Sequence, residues 1–243
     1  MLELNNVSKC YDGGGETVEV LREISLHIEP GQTVAVAGPS GSGKSTLLNL
    51  IGGLDRPTAG TILLDGQDLA TLSDAELSVV RNRKVGFVFQ LHHLLPQCTT
   101  LENVLLPTLA AAMSVQQRRD YKARAEMLLE AVGLADKRDS FPGQLSGGQR
   151  QRAAVVRALI LKPRIVLADE PTGSLDAEAA AQTAETLIRL NRMEGTTLIV
   201  ATHATRLAAR MQRRFRLEQK RLTEWTPRKK KSTDATKCFW DNC

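Results

Sequence analysis

A chain of 243 residues with 42% hydrophobic composition can bury one substantial core, or one core with an attached subdomain. Its four cysteines, Cys10, Cys98, Cys238 and Cys243, lack the paired spacing of a zinc site or a disulfide framework and fit a reducing compartment. The net charge of +5 hints at nucleic acid or anionic lipid, yet three of those charges belong to the segment 227–243, with its five basic and two acidic residues, which reads as a solvated, disordered tail.

The amino terminus carries Glu3 where an export signal needs a basic start and an apolar stretch, so a cytoplasmic location is expected. A spanning helix needs roughly 20 mostly apolar residues. The best run, Val104 to Met113, is short and interrupted by Pro107 and Thr108, so any membrane role requires a separate partner.

In chain order, Leu2 to Val7 and Val18 to Ile28 read as strands, with a loop through Asp12-Gly13-Gly14-Gly15. Thr33 to Ala37 reads as a buried strand, followed by a glycine-rich turn and a helix over Ser45 to Ile51. Thr61 to Leu64 and Val85 to Phe89 read as further strands. From Leu101 to about Leu161 the pattern turns helical, with Ala123, Met127, Leu128, Ala131 and Val132 at helical spacing, then Ala153, Val156, Arg157 and Ile160. Strands return at Ile165 to Ala168 and Thr197 to Ala201, separated by a helix with Ala180, Ala184, Leu187 and Ile188 in one stripe. Apolar strands alternating with helices imply an α/β fold whose mostly parallel sheet is covered on both faces.

The turn Gly38-Pro39-Ser40-Gly41-Ser42-Gly43-Lys44-Ser45-Thr46 satisfies the phosphate-loop pattern in its required context, after a strand and before a helix. Glycines let successive N–H groups face phosphate oxygens, and the helix start adds its positive dipole end. Lys44 suits the β and γ phosphates and the Ser45 hydroxyl suits Mg²⁺, so ATP with Mg²⁺ is the expected ligand. In such a protein the carboxylates ending Ile165-Val166-Leu167-Ala168-Asp169-Glu170 acquire roles: Asp169 to hold Mg²⁺, Glu170 to orient or deprotonate the attacking water.

Leu145-Ser146-Gly147-Gly148-Gln149-Arg150-Gln151-Arg152 then resembles the signature sequence of ABC ATPases. Gln90 is similar to their Q-loop residue, Ser174-Leu175-Asp176 to their D-loop and His203 to their switch histidine, while Tyr11 matches the aromatic residue that stacks on adenine. The resemblance runs in order from Met1 to about Trp225. It implies a RecA-like P-loop core over 1–90 and 162–226, with an N-terminal antiparallel β subdomain and a helical signature subdomain over 91–161. It further implies catalytic roles for Lys44, Gln90, Glu170 and His203, with Gln90 a contact to Mg²⁺ or water that relays to the membrane partner. A second copy is implied as well, arranged head to tail so that Ser146, Gly147, Gly148, Gln149 and Asp176 act across the dimer.

Phe89-Gln90-Leu91-His92-His93-Leu94-Leu95-Pro96 and Thr100 to Pro107 look most like the branch that includes lipoprotein-releasing ATPases, macrolide exporters and a cell-division ATPase, as does the long loop from Tyr11 to Val20. That implies a separate integral-membrane permease, attachment to the cytoplasmic face of the inner membrane through it, and no nucleic acid. Lipoprotein release leads, with export of a macrolide or peptide, or cell division, as the alternative. An ABC ATPase of DNA repair or translation is a different class, and would be expected to carry two cassettes or a long insert. Ala204 stands where many relatives have Asp and Ser174 where Asn is common. His92 and His93 read as surface residues without a metal role, and the tail could lie on anionic lipid through Arg228 to Lys231.

Overall fold

The computed structural model describes residues 1–110 and 113–225; the tail and its suggested lipid contact lie outside them. β1 (Leu2–Gly13) and β2 (Glu16–Ile28) pair antiparallel, and their register continues through Cys10↔Glu19 and Tyr11↔Val18 to Gly13↔Glu16. The loop expected between Tyr11 and Val20 is therefore paired strand almost to its tip. Only Gly14 and Gly15, with φ of 56° and 120°, make the turn, in conformations that L side chains avoid.

Next come β3 (Thr33–Ala37), α1 (Lys44–Ile51), β4 (Ala59–Leu64), the two-residue β5 (Gln67–Asp68), α2 (Asp74–Lys84) and β6 (Val85–Val88). A helical block follows: α3 (Thr100–Leu105), α4 (Val115–Ala131) and α5 (Gly147–Leu159). The chain returns through β7 (Ile165–Asp169), α6 (Ala177–Glu194), β8 (Thr197–Thr202) and the short α7 (Thr205–Ala208), and closes on a hairpin of β9 (Arg213–Glu218) and β10 (Arg221–Glu224). Among the described residues no helix is long and apolar enough to cross a membrane.

The strands make two sheets. One is antiparallel, ordered β2-β1-β4-β5; the other is ordered β10-β9-β3-β8-β7-β6 and is parallel except for β10. Because successive side chains point to opposite faces of a strand, the central strands of the second sheet feed two cores. Val34, Val36, Ile165, Leu167 and Ile199 pack on α1 and the antiparallel sheet. Ala35, Val166, Ala168, Leu198 and Val200 pack on α4, α5 and α6. Burial on both faces explains why these strands are continuous apolar runs.

One reading changes, and two elements were not foreseen. On α4 the buried stripe is Ala125, Leu128, Leu129 and Val132, while Met127 is half exposed. Both stripes have helical spacing; Arg124 settles the choice by donating to the carbonyls of Leu159 and Ile160, both at 3.0 Å, and to Glu194 at 2.7 Å, which turns that face inward. α2 is a mostly polar helix that buries only Leu77 and Val80 and is started by a reciprocal Ser73–Glu76 capping box. The β9–β10 hairpin adds an edge to the main sheet where the sequence offered no apolar run.

Candidate functional site

The residues singled out for phosphate chemistry lie at the carboxyl ends of the parallel strands, where open α/β sheets bind ligands. The phosphate loop leaves β3, Glu170 follows β7, His203 follows β8, and Gln90 lies just beyond β6. Ser40, Gly41, Gly43, Lys44, Ser45 and Thr46 line a cavity of about 610 Å³ together with Val20, Gln90, Glu170 and His203.

Glycine is required at two kinds of place in this loop. Gly41 and Gly43 have φ of 76° and 98°, which turns the backbone so that its N–H groups face inward. Gly38 serves close approach instead: a Cβ there would stand 2.6 Å from the Leu217 carbonyl oxygen of β9. Lys44 is only 7% exposed. Its ammonium donates to the carbonyls of Gly38 and Pro39, at 3.0 Å each, and lies 3.6 Å from Glu170 Oε1.

Asp169 and Glu170 are adjacent yet differently placed. Burial raises the Asp169 carboxyl above its ordinary value, opposed by the Ser45 hydroxyl, reinforced by the charge of Glu170 and opposed again by Lys44. Asp169 Oδ1 is buried without a partner. Glu170 has a φ of 45°, a conformation that costs a non-glycine residue about 1 kcal/mol or more. Three contacts hold it there. Its N–H donates to Ala201 at 2.9 Å, its carboxylate accepts the His203 N–H at 3.1 and 3.2 Å, and His203 Nδ1 lies 2.9 Å from Oε2. The His203 ring itself is 66% exposed on the cavity side.

Gln90 is joined to its neighbours through its backbone: the Ser174 hydroxyl donates to the Gln90 carbonyl at 3.2 Å. Two further α5 residues, not foreseen, grip the same segment. Gln151 donates to Phe89 O at 2.9 Å, and the Arg157 guanidinium donates to the carbonyls of His92 and His93 at 2.7 and 2.6 Å. His92 is half-buried and not a surface residue; burial first, then the charges of Arg150, His93 and Arg157, lower its pKa.

The signature residues do not line the cavity. Ser146 Oγ accepts the Gln149 N–H at 3.2 Å and Gln149 Oε1 accepts the Ser146 N–H at 2.8 Å, a capping box at the start of α5. Gly148 has a packing reason besides, since a Cβ there would meet Ala179 Cβ of α6 at 2.9 Å. Asp176 caps α6, accepting the Ala179 N–H at 2.8 Å. Ala204, at the start of α7, supplies no side-chain cap, and its N–H goes to Thr202 Oγ1 at 3.0 Å.

Tyr11 does not line the cavity either. Partial burial and the Asp55 carboxylate raise the phenol pKa, with Thr46 acting the other way. No sequence signal marked Lys9 or Asp55, which hold this tyrosine.

The donor set fits Mg²⁺ with a polyphosphate. Ser45, Asp169 and Gln90 offer hard oxygen ligands, of the kind that Mg²⁺ takes in company with phosphate oxygens. The partnerless Asp169 oxygen is a buried group that such a ligand would satisfy.

Residues 21–173 match the family described as ABC transporter. The chain is 48% identical over 217 residues to the lipoprotein-releasing system ATP-binding protein LolD of Geobacter metallireducens, covering 89% of this chain and 95% of that protein. It is 47% identical over 221 residues to the protein of the same name from Bordetella pertussis, covering 91% and 94%. Among solved structures, the ATP-binding cassette MJ0796, dimeric in a post-hydrolysis state bound to ADP and Pi, superposes with a TM-score of 0.82 at 40% identity, covering 94% of this chain and 100% of that one. A second dimeric MJ0796 structure, described as a bacterial ABC transporter cassette, gives 0.82 at 42% identity over 91% and 96%.

Proposed function

Because this chain belongs to the ABC transporter family, we propose that it is the ATP-hydrolysing subunit that powers lipoprotein release through a separate integral-membrane permease. The observation that carries the ATPase reading is the meeting of the phosphate loop, Gln90, Glu170 and His203 on one cavity, with the buried carboxyl of Asp169 next to Glu170 in the chain. The cargo reading rests on similarity to LolD proteins over about nine-tenths of the chain, which favours lipoprotein release over the exporter and cell-division alternatives.

In this reading the loop N–H groups and the Lys44 ammonium hold the β and γ phosphates, and Ser45, Asp169 and Gln90 would hold Mg²⁺, which when bound would supply charge neutralisation on the phosphate oxygens. Glu170 orients a water and takes its proton, a role for which the His203 N–H and ring fix both carboxylate oxygens. Ser146, Gly147, Gly148, Gln149 and Asp176 lie off the cavity of their own chain, which supports their acting on the nucleotide of a second copy in a head-to-tail pair. ATP bridging two such surfaces favours the closed pair and hydrolysis releases it, so the nucleotide shifts a two-state equilibrium. Membrane contact then comes through the permease, on the cytoplasmic face of the inner membrane.

Replacing Glu170 by Gln tests the chemistry. Turnover should fall by about 10²- to 10⁴-fold while ATP drives the variant into a stable dimer by size-exclusion chromatography. Undiminished turnover would end the reading. Vesicles containing the co-purifying permease test the cargo: ATP should discharge a lipoprotein from them, and a permease that leaves lipoproteins in place would refute that part alone.

A further inference from the structure

Two polar side chains of β1 meet a carboxylate 44 and 46 residues further along the chain. Lys9 and Tyr11, two residues apart, project from the same face of β1. The buried Lys9 ammonium donates to Asp55 Oδ1 at 2.7 Å and to the Arg56 carbonyl at 2.8 Å; the Tyr11 hydroxyl donates to Asp55 Oδ2 at 2.7 Å. The same ammonium stands 4.7 Å from the centroid of the Tyr11 ring. One carboxylate therefore neutralises a buried cation and anchors a phenol at once.

Asp55 is itself fastened to the phosphate-binding helix. Both the Leu54 and Asp55 N–H groups donate to the Asn49 carbonyl of α1, at 2.8 and 3.3 Å. Although partial burial acts upward, hydrogen bonds from Lys9, Tyr11 and the Arg56 N–H hold the Asp55 carboxyl below its ordinary range. The ring of Tyr11 is thus pinned at its hydroxyl and faced by a cation, while the residue remains 41% exposed. A cation on one face of an aromatic ring draws on its π density and leaves the opposite face better suited to stack on an electron-rich base.

We propose that Asp55 and Lys9 are positioning residues for the nucleotide base: Asp55 ties Tyr11 to α1 and Lys9 occupies one ring face, so that a purine stacks on the other face at a set distance from the phosphate loop. This rests on the reading of Tyr11 as a base contact. The base and the phosphates are then referred to one rigid element, with the phosphate loop at the start of α1 and Asp55 just past its end.

The test compares MgATP with Mg-tripolyphosphate, which lacks a base, in Asp55→Asn, Tyr11→Phe and Tyr11→Ala. In Asp55→Asn the amide oxygen can accept from Lys9 only with the NH2 group facing the Tyr11 hydroxyl, so the charge-assisted acceptor of that hydroxyl is replaced by a weaker neutral donor. Asp55→Asn and Tyr11→Phe should each raise the KM for ATP about three- to tenfold, with kcat changed by less than about twofold. The double variant should lose no more than either alone, and inhibition by tripolyphosphate should not move. If Asp55→Asn weakens tripolyphosphate as much as ATP, Asp55 merely supports the phosphate loop and the proposal fails. If Tyr11→Ala raises KM but Tyr11→Phe and Asp55→Asn do not, the ring matters without its tether, so the proposal falls while the base contact stands. An unchanged KM in Tyr11→Ala removes the base contact and the proposal with it. Should Asp55→Asn not fold, Tyr11→Phe breaks the same hydrogen bond and leaves the Lys9–Asp55 pair intact.

Discussion

α1 and α5 both begin on glycine-bearing turns and both beginnings carry a phosphate-binding reading, but they are finished differently. The first is capped by Gly43 in a left-handed conformation, with no side chain accepting from its N–H groups. The second is closed by the reciprocal Ser146–Gln149 box. A helix start without a side-chain cap leaves donors for an anion, which is what the proposed phosphate role of the loop before α1 requires. At α5 the serine oxygen is already an acceptor, yet its hydroxyl proton remains available to donate. In the proposed head-to-tail pair, one terminus offers backbone donors within its own chain and the other offers a capped helix tip to a neighbour.

The largest expected effect is at the first terminus. Lys44→Ala removes the cation that faces the cavity and should cut ATP turnover by about 10²- to 10³-fold or more, measured by phosphate release. Normal turnover would erase the distinction between the two helix starts.

Ser146→Asp sharpens the comparison because it separates capping from donation. Aspartate caps as well as serine, so the melting temperature of the single chain should hold or rise slightly. It also places a negative charge where a hydroxyl donor stood, and ATPase activity at high protein concentration should drop about a hundredfold. A variant that loses stability and activity together would reduce Ser146 to a cap.

The two glycines after Ser146 differ in a way that the motif alone conceals. A Cβ on Gly147 would meet only the end of the flexible Leu175 side chain, at 3.3 Å, whereas one on Gly148 would meet Ala179 Cβ of α6 at 2.9 Å. Gly148→Ala should cost about 1–3 kcal/mol of stability, and Gly147→Ala well under that, by chemical denaturation. Equal losses would place the constraint in the turn and not in the α5–α6 contact.

What the sequence announced were the segments whose chemistry is local. The phosphate loop is contiguous, and Asp169-Glu170 and His203 each end an apolar strand buried on both faces, so pattern and position coincide. Residues whose partners are remote carried no such mark. Lys9 and Asp55 are 46 apart, and Arg157 grips carbonyls 64 and 65 residues before it. β9 went unseen because only Phe215 and Leu217 of Arg213-Arg214-Phe215-Arg216-Leu217-Glu218 are buried, the arginines supplying the alternation. α2 has just two buried residues against a polar remainder, and the continuation of β1 and β2 past Tyr11 is held by backbone pairing that glycines obscured.

The smallest effect concerns the cation side of the cradle. Burial, ahead of the opposing Ser45 hydroxyl, raises the Asp169 carboxyl above its ordinary value of 3.8. A carboxyl raised by folding stabilises the fold while it is protonated, in full below that ordinary value, and the contribution is lost as pH rises through the folded pKa. Above its folded pKa the charge on Asp169 therefore opposes folding. Asp169→Asn keeps the shape and removes the charge, so without Mg²⁺ or nucleotide it should melt higher than the parent at pH 7, by roughly 1–2 °C after allowance for solvent screening. The gap should narrow as pH falls toward the ordinary value. Mg²⁺ with ATP should reverse the order, because the parent alone gains the bound cation. If the parent melts higher at pH 7 in the absence of both, Asp169 is a stabilising group of the fold, and the two helix starts lose the feature that equips only the first for a metal-bound phosphate.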